Sequence, residues 1–401
     1  MALGLALGAH HSKTIGRIMS SADYDIAVIG GGLAGLVASI ELARAGKKVV
    51  LFEKKEYPYH KVCGEYVSNE VLPYLQSLGF DPFDYGAVAV RKLKLIAENG
   101  RQLEATLPLG AFGISRYTMD AALAKLTGNS GTMLRTATRV TDVQQKNSGV
   151  FEITIDGGEK ITATLVIGSW GKRDVLDKKL HRPFMRAHTG YMGVKYHISG
   201  DFPADEIGLY LFEGGYCGLS KVEGGQFNLC YLYHRGSLPF RSIEELESKA
   251  LYRNPALRKV LQSATKLFDA PEVINEISFA PKNAVEDGLL MCGDAAGLIT
   301  PLCGNGMAMA IRSARMLTEC ILAGDDFSTR SSRLALYELY TQRWNAAFRT
   351  RLTWGRQLQD LFYNRSLLNA SLTGLTLMPF LKQWLIKKTH GEVMRLAAES
   401  E

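Results

Sequence analysis

Gly30, Gly32 and Gly35 stand at the spacing G-x-G-x-x-G, and an acid, Glu53, follows about 20 residues on. Glycines so placed do specific work. The first allows a tight turn, the second lets backbone approach a pyrophosphate, and the third lets a helix pack closely on a strand. Glu53 can accept both ribose hydroxyls, and an acid here argues against a 2′-phosphate. A second segment reads Cys292-Gly293-Asp294-Ala295-Ala296-Gly297, then Pro301-Leu302-Cys303-Gly304-Asn305-Gly306. Asp294 can accept from ribityl hydroxyls. A helix starting after Gly304 would aim free N–H groups and a positive dipole end at an anionic reduced ring. Together the segments imply flavin adenine dinucleotide (FAD), and so redox chemistry.

These residues need elements to hold them. Ile26–Ile29 is a short apolar run of the buried parallel-strand kind. Leu33–Ala45 reads as a helix with Leu36, Ile40 and Ala43 on one face, stopped by Gly46. Lys48–Phe52 is a second apolar strand that delivers Glu53 at its end. Strand, helix, strand and acid are thus in register, where the glycines alone would say little.

Farther along, Lys55–Ser68 is a loop and Asn69–Gly79 a short helix. Val88–Leu107 alternates as strands around an Asn99-Gly100 turn. Ser115 opens a helix, and 132–168 reads as strands turning at Asp156-Gly157-Gly158. Gly190–His197, Gly208–Phe212 and Phe227–Tyr233 read as a sheet, with no charged cluster or special spacing to betray a substrate. Ser242–Leu261 reads as a helix, Leu289–Cys292 as a buried strand, and nearly everything after Cys303 as helical. The order predicts an α/β (α+β) fold, with a Rossmann-like FAD-binding domain on a parallel sheet interrupted by a β-sheet substrate domain. Expected boundaries are 22–87, 111–174 and 276–325 for the FAD domain. Residues 88–110 and 175–275 would form the β-sheet domain, and 326–401 C-terminal helices. Residues 1–21 read as a disordered extension, with Met19 the biological start and no basic region to make a signal peptide.

Composition excludes several classes. The chain of 401 residues is 46% hydrophobic and 22% charged, an ordinary globular balance. A net charge of +7 with dispersed Lys and Arg is a poor basis for nucleic-acid binding. The six cysteines lack C-x-x-C or metal-ligand spacing, so no metal and a reduced, cytoplasmic chain are expected. There is no G-x-S-x-G elbow and no H-E-x-x-H, which removes hydrolase readings. In the helical end, Tyr337, Tyr340, Trp344 and Phe348 read as core packing. Leu367–Ile386 is more apolar and broken by Gly374 and Pro379. It reads as short helices covering the sheet, the alternative being a peripheral membrane-surface segment at the inner face of a membrane.

The run from Gly293 to Gly306, Gly-Asp-Ala-Ala-Gly-x(3)-Pro-x(2)-Gly-x-Gly, is similar to the C-terminal flavin motif of the para-hydroxybenzoate hydroxylase-like superfamily. Within it the chain most resembles the geranylgeranyl reductase family. Lys61-Val62-Cys63-Gly64-Glu65 resembles the family's Cys-Gly segment, and Arg116-Tyr117-Thr118-Met119-Asp120 its Arg-x(3)-Asp segment. Gly214-Gly215-Tyr216-Cys217-Gly218, with Gly224-Gly225, resembles its substrate-sheet segment. The resemblance implies that Arg116 contacts the cofactor and that Cys63 and Gly64 lie beside the isoalloxazine. Cys63 and Tyr216 become the catalytic candidates, although Cys63 could equally be a small apolar filler. His60 and Lys61 read as cofactor or substrate contacts, or as solvated loop residues. The cofactor-binding set is Gly30, Gly32, Leu33, Ala34, Gly35, Glu53, Lys54, Lys61, Cys63, Gly64, Arg116, Val140, Gly293, Asp294, Pro301, Gly304, Asn305, Gly306 and Met307.

One departure matters. Where the superfamily often has an Asp-Gly motif, this chain reads Gly168-Ser169-Trp170-Gly171-Lys172-Arg173, with Trp170 in place of the acid. That weakens the usual NAD(P)H contact; Lys172 with Arg173 reads as a surface pair, the alternative being that the two hold a phosphate. No second G-x-G-x-x-G follows a strand, so electrons must come from transient NAD(P)H docking, a small redox protein or the substrate. The expected activity is an FAD-dependent reductase of carbon–carbon double bonds in a hydrophobic, isoprenoid-like small molecule. The alternative is a single-component FAD-dependent monooxygenase. The halogenase W-x-W-x-I-P segment is absent.

Overall fold

The computed structural model describes residues 22–324, 326–363 and 391–394. The expected N-terminal extension and the Leu367–Ile386 stretch lie outside the described residues. The strands form two sheets. The first follows the order Val285–Glu286, Leu289–Met291, Lys160–Gly168, Tyr24–Ile29, Val49–Phe52, Met133–Arg135. Its four central strands and the last are parallel, with Ile26 beside both Val49 and Leu165. These strands are buried on both faces, which is why they read as unbroken apolar runs. The Leu33–Arg44 helix covers one face, burying Leu36, Val37 and Ile40, and packs on the Gly306–Leu322 helix.

The second sheet runs Thr265–Lys266, Tyr191–Ser199, Phe227–His234, Gly215–Lys221, Glu206–Phe212, Val88–Ile96, Gln102–Gly113, Tyr66–Ser68, with Glu272–Ile274 also paired to Tyr191–Ser199. All its pairs are antiparallel except Glu206–Phe212 with Val88–Ile96. It takes in Tyr66–Ser68 and strand residues to Gly113, so it draws on chain from both expected domain spans. Alternation splits its two faces. Val194, Tyr196, Leu229, Tyr231 and Leu219 pack against Leu246, Leu257 and Val260 of two short helices. Gly193, Lys195 and His197 point the other way, toward Val62 and Glu65 of the loop before Tyr66.

The helix expected over Ser242–Leu261 is interrupted. Ile243–Lys249 and Pro255–Ser263 are separate α-helices around a short 3₁₀ turn. Asn254 ends the 3₁₀ turn and starts the second helix. Its Oδ1 accepts from Ala256 N and Leu257 N, Pro255 takes the first position, and its Nδ2 donates to the Ile96 and Leu211 carbonyls. The helix Arg330–Tyr363 buries Tyr340, Trp344 and Phe348, as their spacing suggested. Tyr340 Oη donates to the Met291 carbonyl at 2.7 Å, tying this helix to the end of a central strand. No helix among the described residues is long and apolar enough to cross a membrane.

Candidate active site

The first glycine turn is built for close approach. Gly30 has φ 107°, and a Cβ there would lie 2.6–2.7 Å from backbone atoms of Ser169 and Trp170. A Cβ on Gly35 would lie 2.1 Å from the Gly30 carbonyl oxygen, so its role is packing helix on turn. The helix begins at Leu33 with Gly32 before it and no side-chain cap, which leaves its first N–H groups for an anion. Glu53 accepts from Gly31 N at 2.8 Å and Lys55 N at 3.0 Å, which fixes the carboxylate at the strand end. Tyr57 Oη donates to the Gly31 carbonyl at 2.6 Å, and burial raises this phenol's pKa.

The second segment enters from the opposite side of the same strands. Cys292 N donates to the Gly168 carbonyl, so the Gly293–Ala295 turn starts where the parallel sheet ends. Buried cations hold its carbonyls from behind. Lys282 Nζ donates to the Asp294 and Lys172 carbonyls, each at 2.9 Å, and fully buried Arg182 donates to Ala295 O at 2.9 Å while pairing with Asp177. Burial brings Lys282 down to about 8. Gly304 is left-handed, at φ 63°, where a Cβ would press on the Tyr66 ring at 3.1 Å. The helix Gly306–Leu322 follows, again with no side-chain cap.

A charged group stands beside the first segment. Arg116 donates from Nε and Nη2 to the two oxygens of Asp120 at 2.7 and 2.8 Å, and Lys61 Nζ reaches the same carboxylate at 2.8 Å. Burial alone would raise Asp120; Arg116 and then Lys61 reverse this and hold it below the ordinary range. Arg116 Nη2 brings positive charge to 3.7 Å from where a Cβ of Gly32 would be. That charge faces the phosphate turn.

One cavity of about 490 Å³ joins these parts. Of the residues expected from sequence to touch cofactor or substrate, its wall holds Gly30, Gly32, Leu33, Ala34, Glu53, Lys54, Lys61, Cys63, Gly64, Arg116, Val140, Tyr216, Gly293, Asp294, Pro301, Gly304, Asn305, Gly306 and Met307. Gly35 stands behind the wall, in the packing role just described. The far end is apolar, lined by Gly193, Leu209, Gly218, Leu232, Ile274 and Leu298.

Three readings need correction. The sheet does hold a charged cluster. Lys195 and His197 bond the fully buried Glu65 at 2.5 and 2.7 Å. The available signal was two polar residues at alternate positions of an otherwise apolar strand, which puts both on one face. Lys172 is more than a surface residue, since its Nζ donates to the Val62 carbonyl at 3.2 Å beside the cavity. His60 is no solvated loop residue. It packs on Tyr117, Phe268 and His197, and burial, with Lys195 and His197 nearby, lowers it to about 4.

The open glycine turn, the fixed Glu53, the Arg116 charge and two uncapped helix starts around one cavity fit a dinucleotide, and the fold with this cradle defines an FAD-binding flavoprotein. Residues 23–197 match the family model "FAD binding domain". The chain is similar to "Conditioned medium factor receptor 1" of Dictyostelium discoideum, 25% identical over 81% of this chain and 68% of that protein. It is 23% identical to a menaquinone reductase of Mycolicibacterium smegmatis, covering 82% and 84% of the two chains. It is also 23% identical to a digeranylgeranylglycerophospholipid reductase of Methanococcus vannielii, over 80% and 82%. The solved structure of flavin-dependent brominase Bmp2 shares the fold, with TM-score 0.72 at 17% identity over 91% and 93%. The chain carries an FAD-binding domain over residues 23–197 and is an FAD-dependent oxidoreductase.

Proposed function

We propose that the protein reduces carbon–carbon double bonds of a hydrophobic, isoprenoid-like molecule. The observation behind this is the apolar cluster of Leu209, Tyr216, Leu232, Ile274, Ile277 and Leu298 in the cavity wall, which Glu272 borders. Two relatives are named as reductases, of menaquinone and of a digeranylgeranylglycerophospholipid, and both names fit such a wall.

The proposed cofactor-binding residues are those gathered in the cavity wall. The turn 30–35 would take the pyrophosphate, Glu53 the adenosine ribose, and Asp294 the ribityl chain. Arg116 would balance phosphate charge, and the helix start at Gly306 would face the flavin. Bound reduced FAD supplies a hydride. The chain supplies the rest. Apolar side chains strip water from the acceptor and hold it against the cofactor face. Cys63 and Tyr216 bring exchangeable protons to that part of the wall, and one of them would protonate the carbon adjacent to hydride attack. NAD(P)H is the proposed donor, docking transiently past Trp170 and Lys172.

The test is product analysis with a polyprenyl quinone or lipid and an electron donor. The reading expects two hydrogens gained per reduced bond and no oxygen consumed. A product carrying one new oxygen atom, with matching oxygen uptake, would establish the monooxygenase reading in its place.

A further inference from the structure

Cys63 and Gly64 sit in a loop, yet the proposed chemistry needs them held in place. We propose that Glu65, Lys195 and His197 are positioning residues that lock the Cys63–Gly64 turn and the start of the Arg116 helix onto the substrate-side sheet. This rests on the function proposed above only for the name of that sheet.

Glu65 is the hub. It holds a left-handed backbone, φ 52°, with no exposed surface. Its side chain accepts from Lys195 Nζ, His197 Nε2 and the backbone N–H of Arg116, and its own N–H donates to Cys63 Sγ at 3.5 Å. His197 Nδ1 is 3.1 Å from Gln226 Oε1. Two neighbours on the sheet complete the attachment: Asn228 Nδ2 donates to the Cys63 carbonyl and Ser220 Oγ to the Gly64 carbonyl. His197, Asn228 and Ser220 are direct cross-strand partners, so they form a polar row beside the apolar rows that line the cavity. Glu223 binds Ser115 N at 2.8 Å and the Ser115 and Thr118 hydroxyls, so carboxylates from two loops hold the same helix start.

Stability alone does not account for the group. Taking two charges out of water roughly cancels their attraction, and well-packed apolar residues of the same volume hold a fold as well. What the charges add is a single geometry. Burial would raise Glu65, and Lys195 followed by His197 hold it ionised instead, so every bond its carboxylate accepts is charge-assisted.

The test uses FAD-loaded protein and follows alkylation of Cys63 by iodoacetamide, resolved from Cys230 by peptide mass spectrometry. Lys195→Met leaves the buried Glu65 with His197 as its one remaining ion-pair partner, so the paired variant Glu65→Gln with Lys195→Met is made beside it. Both are expected to label roughly tenfold faster than the parent, as a turn freed of an ionic contact opens more often. Lys195→Arg should restore slow labelling. The inference is overturned if the folded paired variant labels at the parental rate, or if Lys195→Arg labels as fast as Lys195→Met. The readout is independent of turnover, so it stands whether or not the double-bond reduction does.

Discussion

At its cofactor end the cavity is built on backbone turns, with Glu53, Arg116 and Asp294 beside them; at its apolar end it is lined by side chains from strands and loops. Gly30, Gly32 and Gly304 contribute turns and close approaches, and two helices contribute uncapped starts. The other end depends on which residues face each other across the sheet. Lys195 pairs with Cys230, Cys230 with Gly218, and Gly218 with Leu209, and that register sets what the wall presents. A backbone site tolerates no added atom. A side-chain site tolerates substitution and changes what it accepts. The two ends should therefore fail in different ways.

The largest effect is expected at the glycine turn. In Gly30→Ala, a left-handed residue is strained and its Cβ meets the Ser169–Trp170 backbone, a cost of about 3 kcal/mol. FAD should bind roughly 100-fold more weakly, read from retained flavin absorbance and fluorescence titration. Asp294→Ala should cost about 2 kcal/mol, near 30-fold in FAD affinity, since it removes one charged acceptor and leaves the turn in place. The apolar end gives the opposite pattern. A Cβ on Gly218 meets nothing closer than 3.7 Å, so Gly218→Leu should fold and keep FAD within about twofold while losing roughly tenfold in acceptor affinity. Equal losses of both ligands would erase the distinction between the ends.

The smallest effect is a pH slope. His60 is lowered by burial from 6.5 to about 4. Between those values the unfolded chain takes up a proton that the folded chain refuses, so stability falls as pH drops through that window. Urea midpoints at about pH 7 and about pH 4.5 should lie closer together in His60→Phe than in the parent.

This contrast also explains what could be read from sequence. The turn at 30–35, Glu53 and the 293–306 run are local, and glycine spacing reports backbone geometry without any knowledge of pairing. Asn254 defeated the helix reading because its cap and the proline after it act within two residues, beneath an apolar pattern that continues across them. Glu65 was quoted only as the end of a motif. Its partners lie 130 and 132 residues away, and nothing short of the register of Tyr191–Ser199 brings Lys195 and His197 to it. Cys63 and Tyr216 were legible through family likeness, and both do stand in the cavity wall.

The central claim is that one cavity holds a flavin at its backbone end and an apolar electron acceptor at its side-chain end. Rapid mixing tests it most directly. FAD-loaded protein is reduced without oxygen and mixed with a polyprenyl acceptor while the flavin absorbance is followed. The account predicts that the oxidised spectrum returns at a rate that saturates with acceptor and slows in Gly218→Leu. A spectrum that returns only when oxygen is admitted, whatever the acceptor, would contradict it.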